Sequence, residues 1–334
     1  MIIESAFRPA WWLANSHAQT IYPTLANRTR VEIDRYERLE LPDGDFIDLA
    51  WSIGGLNDDT PLVVLLHGLG GNVNSVYVSG LLQALNQAGY RGVLMHFRGA
   101  SSEPNRLPRA YHSGETGDLM YLLDSLHRRE PHTKKAVVGI SLGGNVLLKW
   151  LGERGPQSLI RAAVAVSVPF QLAIAADRIN KGFSRIYQAY LLQRLRTVFL
   201  KKLDVVNTQI SLTKQDLFSI KTLKEFDARI TAPLHGFQNA DHYYQQSSSR
   251  QFLSAIATPT LIIHAIDDPF MCPQVIPHER ELSADITFEL SQYGGHVGFI
   301  AGKHLDTPFQ WLMQRIPDFL KEILSDERSM SHKP

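Results

Sequence analysis

The feature that most narrows the fold of this 334-residue chain is an unbroken apolar run, Leu62-Val63-Val64-Leu65-Leu66, whose kind returns several times downstream. A strand that is apolar at every position is covered on both faces, which is the condition of a parallel sheet packed between two layers of helix. This run ends in a glycine loop and passes into a helical pattern from about Ser75 to Ala88, halted by Gly89. The unit then repeats: Gly92 to Phe97 reads as a strand, Glu115 to Arg129 as a helix, Ala136 to Ile140 as a strand and Asn145 to Glu153 as a helix. Further strands are expected at Ala162 to Ser167, Thr260 to Ala265 and Ile286 to Leu290. Ahead of them, Tyr36 to Leu41 and Phe46 to Ser52 flank Pro42-Asp43-Gly44-Asp45, whose Asp-Gly pair signals a hairpin. The expected fold class is α/β: a mostly parallel twisted sheet with helices on both faces, begun by an antiparallel hairpin.

Residues Pro169 to Ser249 break this rhythm, with little strand character, several probable helical stretches and many basic residues. Lying between two sheet strands, they read as a helical cap inserted above the C-terminal edge of the sheet. The expected organisation is therefore a core of residues 1–168 and 250–325, with an N-terminal extension over 1–34, a cap over 169–249 and a disordered tail over 326–334. An amphipathic helix is expected from about Phe309 to Leu324, interrupted at Pro317.

Charge is nearly balanced, 34 Lys and Arg against 33 Asp and Glu, so no global field draws the chain to nucleic acid. A single cysteine, Cys272, excludes an internal disulfide and any multi-cysteine metal site. No stretch approaches the roughly 20 apolar residues of a membrane span, and Glu4, Arg8 and Trp11-Trp12 stand where a signal peptide would need an apolar centre. The expectation is a soluble, cytoplasmic protein that needs neither metal nor cofactor.

Gly139-Ile140-Ser141-Leu142-Gly143 fits G-x-S-x-G. The pattern alone is weak, but here a short apolar strand precedes the serine and a helix follows it, the setting of a nucleophile elbow. The bland alternative is an ordinary strand-to-helix turn. A serine hydroxyl needs a base to take its proton, and Tyr293-Gly294-Gly295-His296-Val297-Gly298-Phe299 follows the last expected strand with glycines on both sides of His296. His304 is the rival by position but lacks that setting. An acid that orients the base belongs after the preceding strand, where Ile266-Asp267-Asp268-Pro269 offers two. Asp268 is favoured; Asp267 is the alternative acid, and is otherwise expected to cap the following turn.

His67-Gly68-Leu69-Gly70-Gly71 follows the first parallel strand, and the backbone N–H groups of Leu69 and Leu142 are the expected donors to an oxyanion. The same glycines do not form a G-x-G-x-x-G or P-loop pattern, which leaves little case for a dinucleotide or phosphate. His96-Phe97-Arg98-Gly99 and Tyr111-His112-Ser113-Gly114-Glu115-Thr116 are read as loop scaffolding, with Arg98 paired to a carboxylate and Ser113 or Thr116 capping a helix. Ser184 to Leu203 reads as a basic amphipathic lid helix bearing Ile186, Tyr190, Leu195 and Phe199, with Arg185, Arg194, Arg196, Lys201 and Lys202 on a solvated face; peripheral contact with lipid is the less favoured reading.

Together these motifs resemble the AB hydrolase-4 family of α/β-hydrolases, and closely its bacterial YheT-type branch. The likeness spans most of the chain and extends to Asn15-Ser16-His17-Ala18-Gln19-Thr20, for which the residues suggest only packing or shaping of a pocket. It implies hydrolysis of carboxylic esters by a Ser-Asp-His triad, here of short to medium acyl chain. Acyl transfer to an alcohol by the same triad, or binding of an acyl ligand without turnover, are the alternatives.

Overall fold

The computed structural model describes residues 1–26, 30–302 and 308–325. Its centre is a nine-stranded sheet: β1 (Ile2–Glu4), β2 (Arg35–Glu40), β3 (Phe46–Ser52), β4 (Leu62–Leu66), β5 (Arg91–His96), β6 (Lys135–Ile140), β7 (Ala162–Val166), β8 (Thr260–Ala265) and β9 (Ile286–Ser291). The spatial order is β1-β9-β8-β7-β6-β4-β5-β3-β2. The hairpin strands β2 and β3 run antiparallel to each other, and β3 antiparallel to β5; every other neighbouring pair is parallel.

The continuous apolar strands do what their composition requires. Along β4, Leu62, Val64 and Leu66 enter one core with Leu119, Leu122 and Leu126 of α3 (Gly117–Arg129) and Val146, Trp150 and Leu151 of α4 (Leu142–Arg154). Val63 and Leu65 enter the core on the opposite face, with Val78, Leu81 and Leu85 of α2 (Val76–Gln87) and Leu312, Ile316 and Leu320 of α12 (Leu312–Leu324). Alternate side chains of one strand thus feed two separate cores.

Between β7 and β8 run α5 (Leu172–Ile179), α6 (Ser184–Lys201), α7 (Leu203–Val206), α8 (Lys214–Ser219), α9 (Leu223–Phe226), α10 (Ala232–Leu234) and α11 (Ala240–Ser247). Helices α6 to α10 share an apolar cluster that includes Leu195, Phe199, Val206, Phe226 and Ile230, and α5 packs with α11 through Leu172, Ala240, Tyr243 and Tyr244. A π-helical turn, Asp227–Thr231, joins α9 to α10.

Two expectations need correction, and one strand is added to those read from the sequence: in the N-terminal extension Ile2 pairs with Phe288 and Glu4 with Leu290, so β1 extends the sheet in parallel beyond β9, and α1 (Ser16–Ala26) follows. Three residues are too few to carry a period, which is why β1 escapes a sequence reading. The C-terminal helix is not interrupted at Pro317 but continues through it, with Phe309–Gln310 forming a short strand against Ile300–Ala301 instead of its first turn. An interior proline costs about 3 kcal/mol, whereas Leu312, Ile316, Phe319, Leu320 and Leu324 are all buried, each worth about 1.5–3 kcal/mol. Packing therefore overrides the breaker. Lastly, Lys202 is not on a solvated face: its ammonium is buried and donates to Asn105 Oδ1 and the Arg109 carbonyl at 2.7 and 2.9 Å. The residues that carry His304 and the expected tail, 303–307 and 326–334, lie outside those described.

Candidate functional site

Parallel strands bring their C-terminal ends to one edge, and the loops leaving β4, β6, β8 and β9 meet there. Ser141 is the single residue between β6 and α4 and adopts φ 54°, a conformation uncommon outside glycine. The turn is tight because nothing larger than hydrogen fits behind it: a Cβ on Gly143 would stand 2.5 Å from the Leu66 carbonyl oxygen. The Ser141 N–H is anchored on Val166 O at 2.8 Å, so the serine side chain is held above the sheet edge.

His296 lies in the loop after β9. Its Nε2 is 3.0 Å from Ser141 Oγ, and its Nδ1 is 2.8 Å from Asp268 Oδ2. The buried Asp268 side chain also accepts the Phe270 N–H on Oδ1 at 2.8 Å, bracing its own turn. The Phe270 ring lies flat against the imidazole, with centroids 3.9 Å apart and planes within 7°. In this arrangement Nδ1–H donates to the carboxylate, which leaves Nε2 an acceptor facing the serine hydroxyl.

Asp267 does not cap the following turn. Its Oδ1 accepts the Gly295 N–H at 2.9 Å, so it holds the histidine loop at the residue before the imidazole. Burial pushes its carboxyl up to about 6, opposed by the Gly295 hydrogen bond and reinforced by the neighbouring charge of Asp268. Of the two carboxylates, only Asp268 meets the imidazole.

In the loop after β4, the Gly68 N–H donates to Tyr77 Oη, the Gly70 N–H to Tyr111 Oη, both at 2.8 Å, and the Gly71 N–H to Gly68 O at 2.9 Å. Among the described residues the Leu69 N–H has no acceptor, and neither has that of Leu142 in the first turn of α4. The Gly68–Leu69 peptide is oriented by His67, whose Nδ1 donates to Gly68 O at 2.7 Å while Nε2 accepts the Phe97 N–H at 3.2 Å. Full burial lowers the His67 pKa to about 3, which keeps the ring in this neutral form. Because N–H and C=O point oppositely across a trans peptide, pinning the Gly68 carbonyl also aims the Leu69 N–H.

The segment Asn15 to Thr20 finds its place here. The Thr20 hydroxyl accepts the His296 N–H at 2.9 Å and donates to Ser16 O at 2.8 Å. Gln19, fully buried, donates to Leu13 O and Ile300 O and accepts the Ile300 N–H at 2.7 Å. A Cβ on Gly295, at φ 58°, would lie 2.5 Å from Ser16 O and 2.7 Å from Thr20 Oγ1. The segment clamps the histidine loop, a role no local pattern could disclose.

Arg98 is buried and forks onto Asp118 at 2.6 and 2.7 Å, with Asp43 and Asp45 beside it, so it is scaffolding. Thr116 sits at the start of α3, but its hydroxyl donates to Glu153 instead of capping, and the Ser113 N–H donates to Tyr243 Oη. His112, Glu115 and His235 place donor atoms within 4.8 Å of one another. Glu115 is already paired with Arg109 and accepts the Gly117 N–H, so the group is charge-compensated as it stands.

A cavity of about 740 Å³ opens over Ser141 and His296. Leu69, Leu142, Leu172, Ile179, Leu191 and Phe226 line it, and Leu25, Ile186 and Tyr190 stand exposed at its rim. No helix among the described residues is long and apolar enough to cross a membrane.

Residues 61–303 match the family model described as the alpha/beta hydrolase fold. The chain is 46% identical to an Escherichia coli protein named "Putative esterase YheT", over 96% of this chain and 94% of that one. It is 27% identical to the bovine protein named phospholipase ABHD3, over 97% and 82% of the two chains. A solved soluble variant of monoglyceride lipase from Saccharomyces cerevisiae shares the fold, with a TM-score of 0.57 over 89% of this chain and 98% of that one at 15% identity. With the strand order, the elbow and these relatives in agreement, the chain belongs to the α/β-hydrolase fold family and, within it, to the AB hydrolase-4 group.

Proposed function

We propose that this protein hydrolyses carboxylic esters of short to medium acyl chain through an acyl-enzyme on Ser141. The observation that carries the reading is one chain of hydrogen bonds, Ser141 to His296 to Asp268, standing on a positive-φ turn at the floor of a largely apolar cavity. Ser141 Oγ attacks the ester carbonyl as His296 Nε2 takes its proton, and Asp268 holds the ring tautomer and balances the imidazolium. The Leu69 and Leu142 N–H groups receive the oxyanion, each worth about 2.7–4 kcal/mol in comparable sites. The intermediate collapses as the imidazolium protonates the departing alkoxide. Water, deprotonated in turn by His296, then releases the acid. The names of the relatives, an esterase and a phospholipase, support ester chemistry.

Fluorophosphonate labelling read by intact mass tests the reading. Wild type is expected to gain one adduct and Ser141→Ala none. Absence of labelling on folded wild type would sink the esterase reading and leave a protein that binds an acyl ligand without turnover.

A further inference from the structure

The inner wall of the cavity holds a carboxylate that the reaction above does not use. Asp227 opens the π-helical turn before α10, a local geometry that is rare and concentrates at functional sites. Its Oδ1 accepts the Thr231 hydroxyl and its Oδ2 the Tyr244 hydroxyl, both at 2.7 Å. Both partners are neutral, and among the described residues no cation pairs with it. Asp227 is half-buried and lines the cavity beside Phe226, Tyr243, Tyr244, His112 and His235. The two histidines supply no charge, since burial lowers them to about 3 and about 2.

Three kinds of occupant can be weighed. An alkyl chain would further desolvate a carboxylate that has no counter-charge, and at neutral pH that costs at least its protonation, about 1.4 kcal/mol for each pH unit above its pKa. A hydroxyl would add one hydrogen bond. An ammonium group would cancel the charge, and the rings of Phe226, Tyr243 and Tyr244 would add cation–π attraction of about 0.5–2 kcal/mol. The anion and the aromatic wall both select the third.

We propose that Asp227 anchors a subsite for an ammonium group, primary or quaternary, on the ester held at Ser141. This rests on the esterase reading and names its substrate class.

The test compares esters with isosteres that differ only in charge. On the alcohol side, 2-(trimethylammonio)ethyl esters are set against 3,3-dimethylbutyl esters. On the acyl side, 4-nitrophenyl esters of ω-trimethylammonio and ω-amino acids are set against their tert-butyl and methyl counterparts, across acyl lengths from butanoyl to decanoyl. Wild type is expected to favour the cationic member of at least one pair by about tenfold in kcat/KM, the equivalent of about 1.4 kcal/mol. In Asp227→Asn that ratio should fall to near unity. The trimethylammonio and amino arms separate the two kinds of ammonium. Preference for the neutral member in every pair, equal rates, a ratio unmoved by Asp227→Asn, or no turnover of any cationic ester by protein whose Ser141 takes up fluorophosphonate would each overturn the proposal. The wild-type ratio needs no variant, so misfolding of Asp227→Asn does not shield the idea. Loss of fluorophosphonate labelling itself would point instead to failure of the esterase reading.

Discussion

The hydroxyl of Thr20 accepts the backbone N–H of His296 at 2.9 Å, joining two residues 276 positions apart in the chain. The base proposed for catalysis is thus fixed at three points: by Asp268 on its ring, by Thr20 on its N–H and by Asp267 on the N–H of Gly295. Val297 and Phe299, close by in the same loop, have positive φ, so the loop does not rest in its preferred conformation unaided.

Removing the Thr20 hydroxyl should therefore loosen the imidazole, while the similar shape of valine preserves the stretch of cavity wall that Thr20 lines. Thr20→Val is expected to lower kcat by about ten- to a hundredfold, since a stranded N–H costs about 1–3 kcal/mol, with KM little changed. Thr20→Ser should restore most of the rate. Steady-state kinetics on a 4-nitrophenyl ester decide it, and an equal loss in the serine variant would mean that the methyl group, not the hydrogen bond, matters.

The adjacent carboxylates should separate cleanly. Asp268→Asn is expected to lower kcat by about 10⁴, the size seen when the acid of such a triad is neutralised. Asp267→Asn keeps an oxygen that can accept the Gly295 N–H and should cost less than about tenfold. If the Asp267 variant were the more damaged of the two, the assignment would have to be exchanged.

His67→Leu should act on the transition state alone, because the ring aims the Leu69 N–H and is expected to make no contact with the substrate. A fall in kcat of about a hundredfold with KM within twofold is expected, in line with the loss of one oxyanion donor. A variant that raises KM at constant kcat would place His67 in ground-state binding.

Gly143→Ala forces a methyl group to within 2.5 Å of the Leu66 carbonyl oxygen. The elbow and the strand beside it cannot both stay in place, and a loss of about 3 kcal/mol or more is expected, among the larger effects of single substitutions. Urea denaturation measures it, and a midpoint within error of wild type would show that the turn can shift to admit the methyl group.

Asp227 makes folding sensitive to pH in a stated direction. Burial raises its carboxyl from 3.8 to about 6, so the folded chain holds this proton more tightly than the unfolded one. Its contribution to stability is whole below the unfolded pKa and is lost as pH rises through about 6. Asn cannot ionise, so the stability of Asp227→Asn relative to wild type should rise between pH 4 and 7.5, by up to about 3 kcal/mol. Paired urea titrations across that range test this without ligand; a difference that is flat or falls with pH contradicts it.

The sheet is legible in the chain because its strands are local and continuous: Leu62–Leu66 and Thr260–Ala265 are read to the residue. The addresses of Ser141, His296 and the Asp267-Asp268 pair are legible for a related reason. Each sits just past a strand, and parallel strands deliver everything just past them to one edge, so order along the chain becomes proximity in space. Position after a strand is likewise what singles out Leu69 and Leu142 as the proposed oxyanion donors. The choice between Asp267 and Asp268 stays open at that level, since adjacent residues share one address and differ only in where their side chains turn.

What tertiary structure alone decides is whatever depends on a partner far along the chain. The pairing of β1 with β9, the passage of α12 through Pro317, the Thr20 and Gln19 clamp, the burial of Lys202 and the place of Asp227 in the cavity wall leave no period, no glycine signature and no fixed spacing. A single hydrogen bond between distant residues is set by three-dimensional packing, whereas periodicity reports only which side of its own element a residue faces.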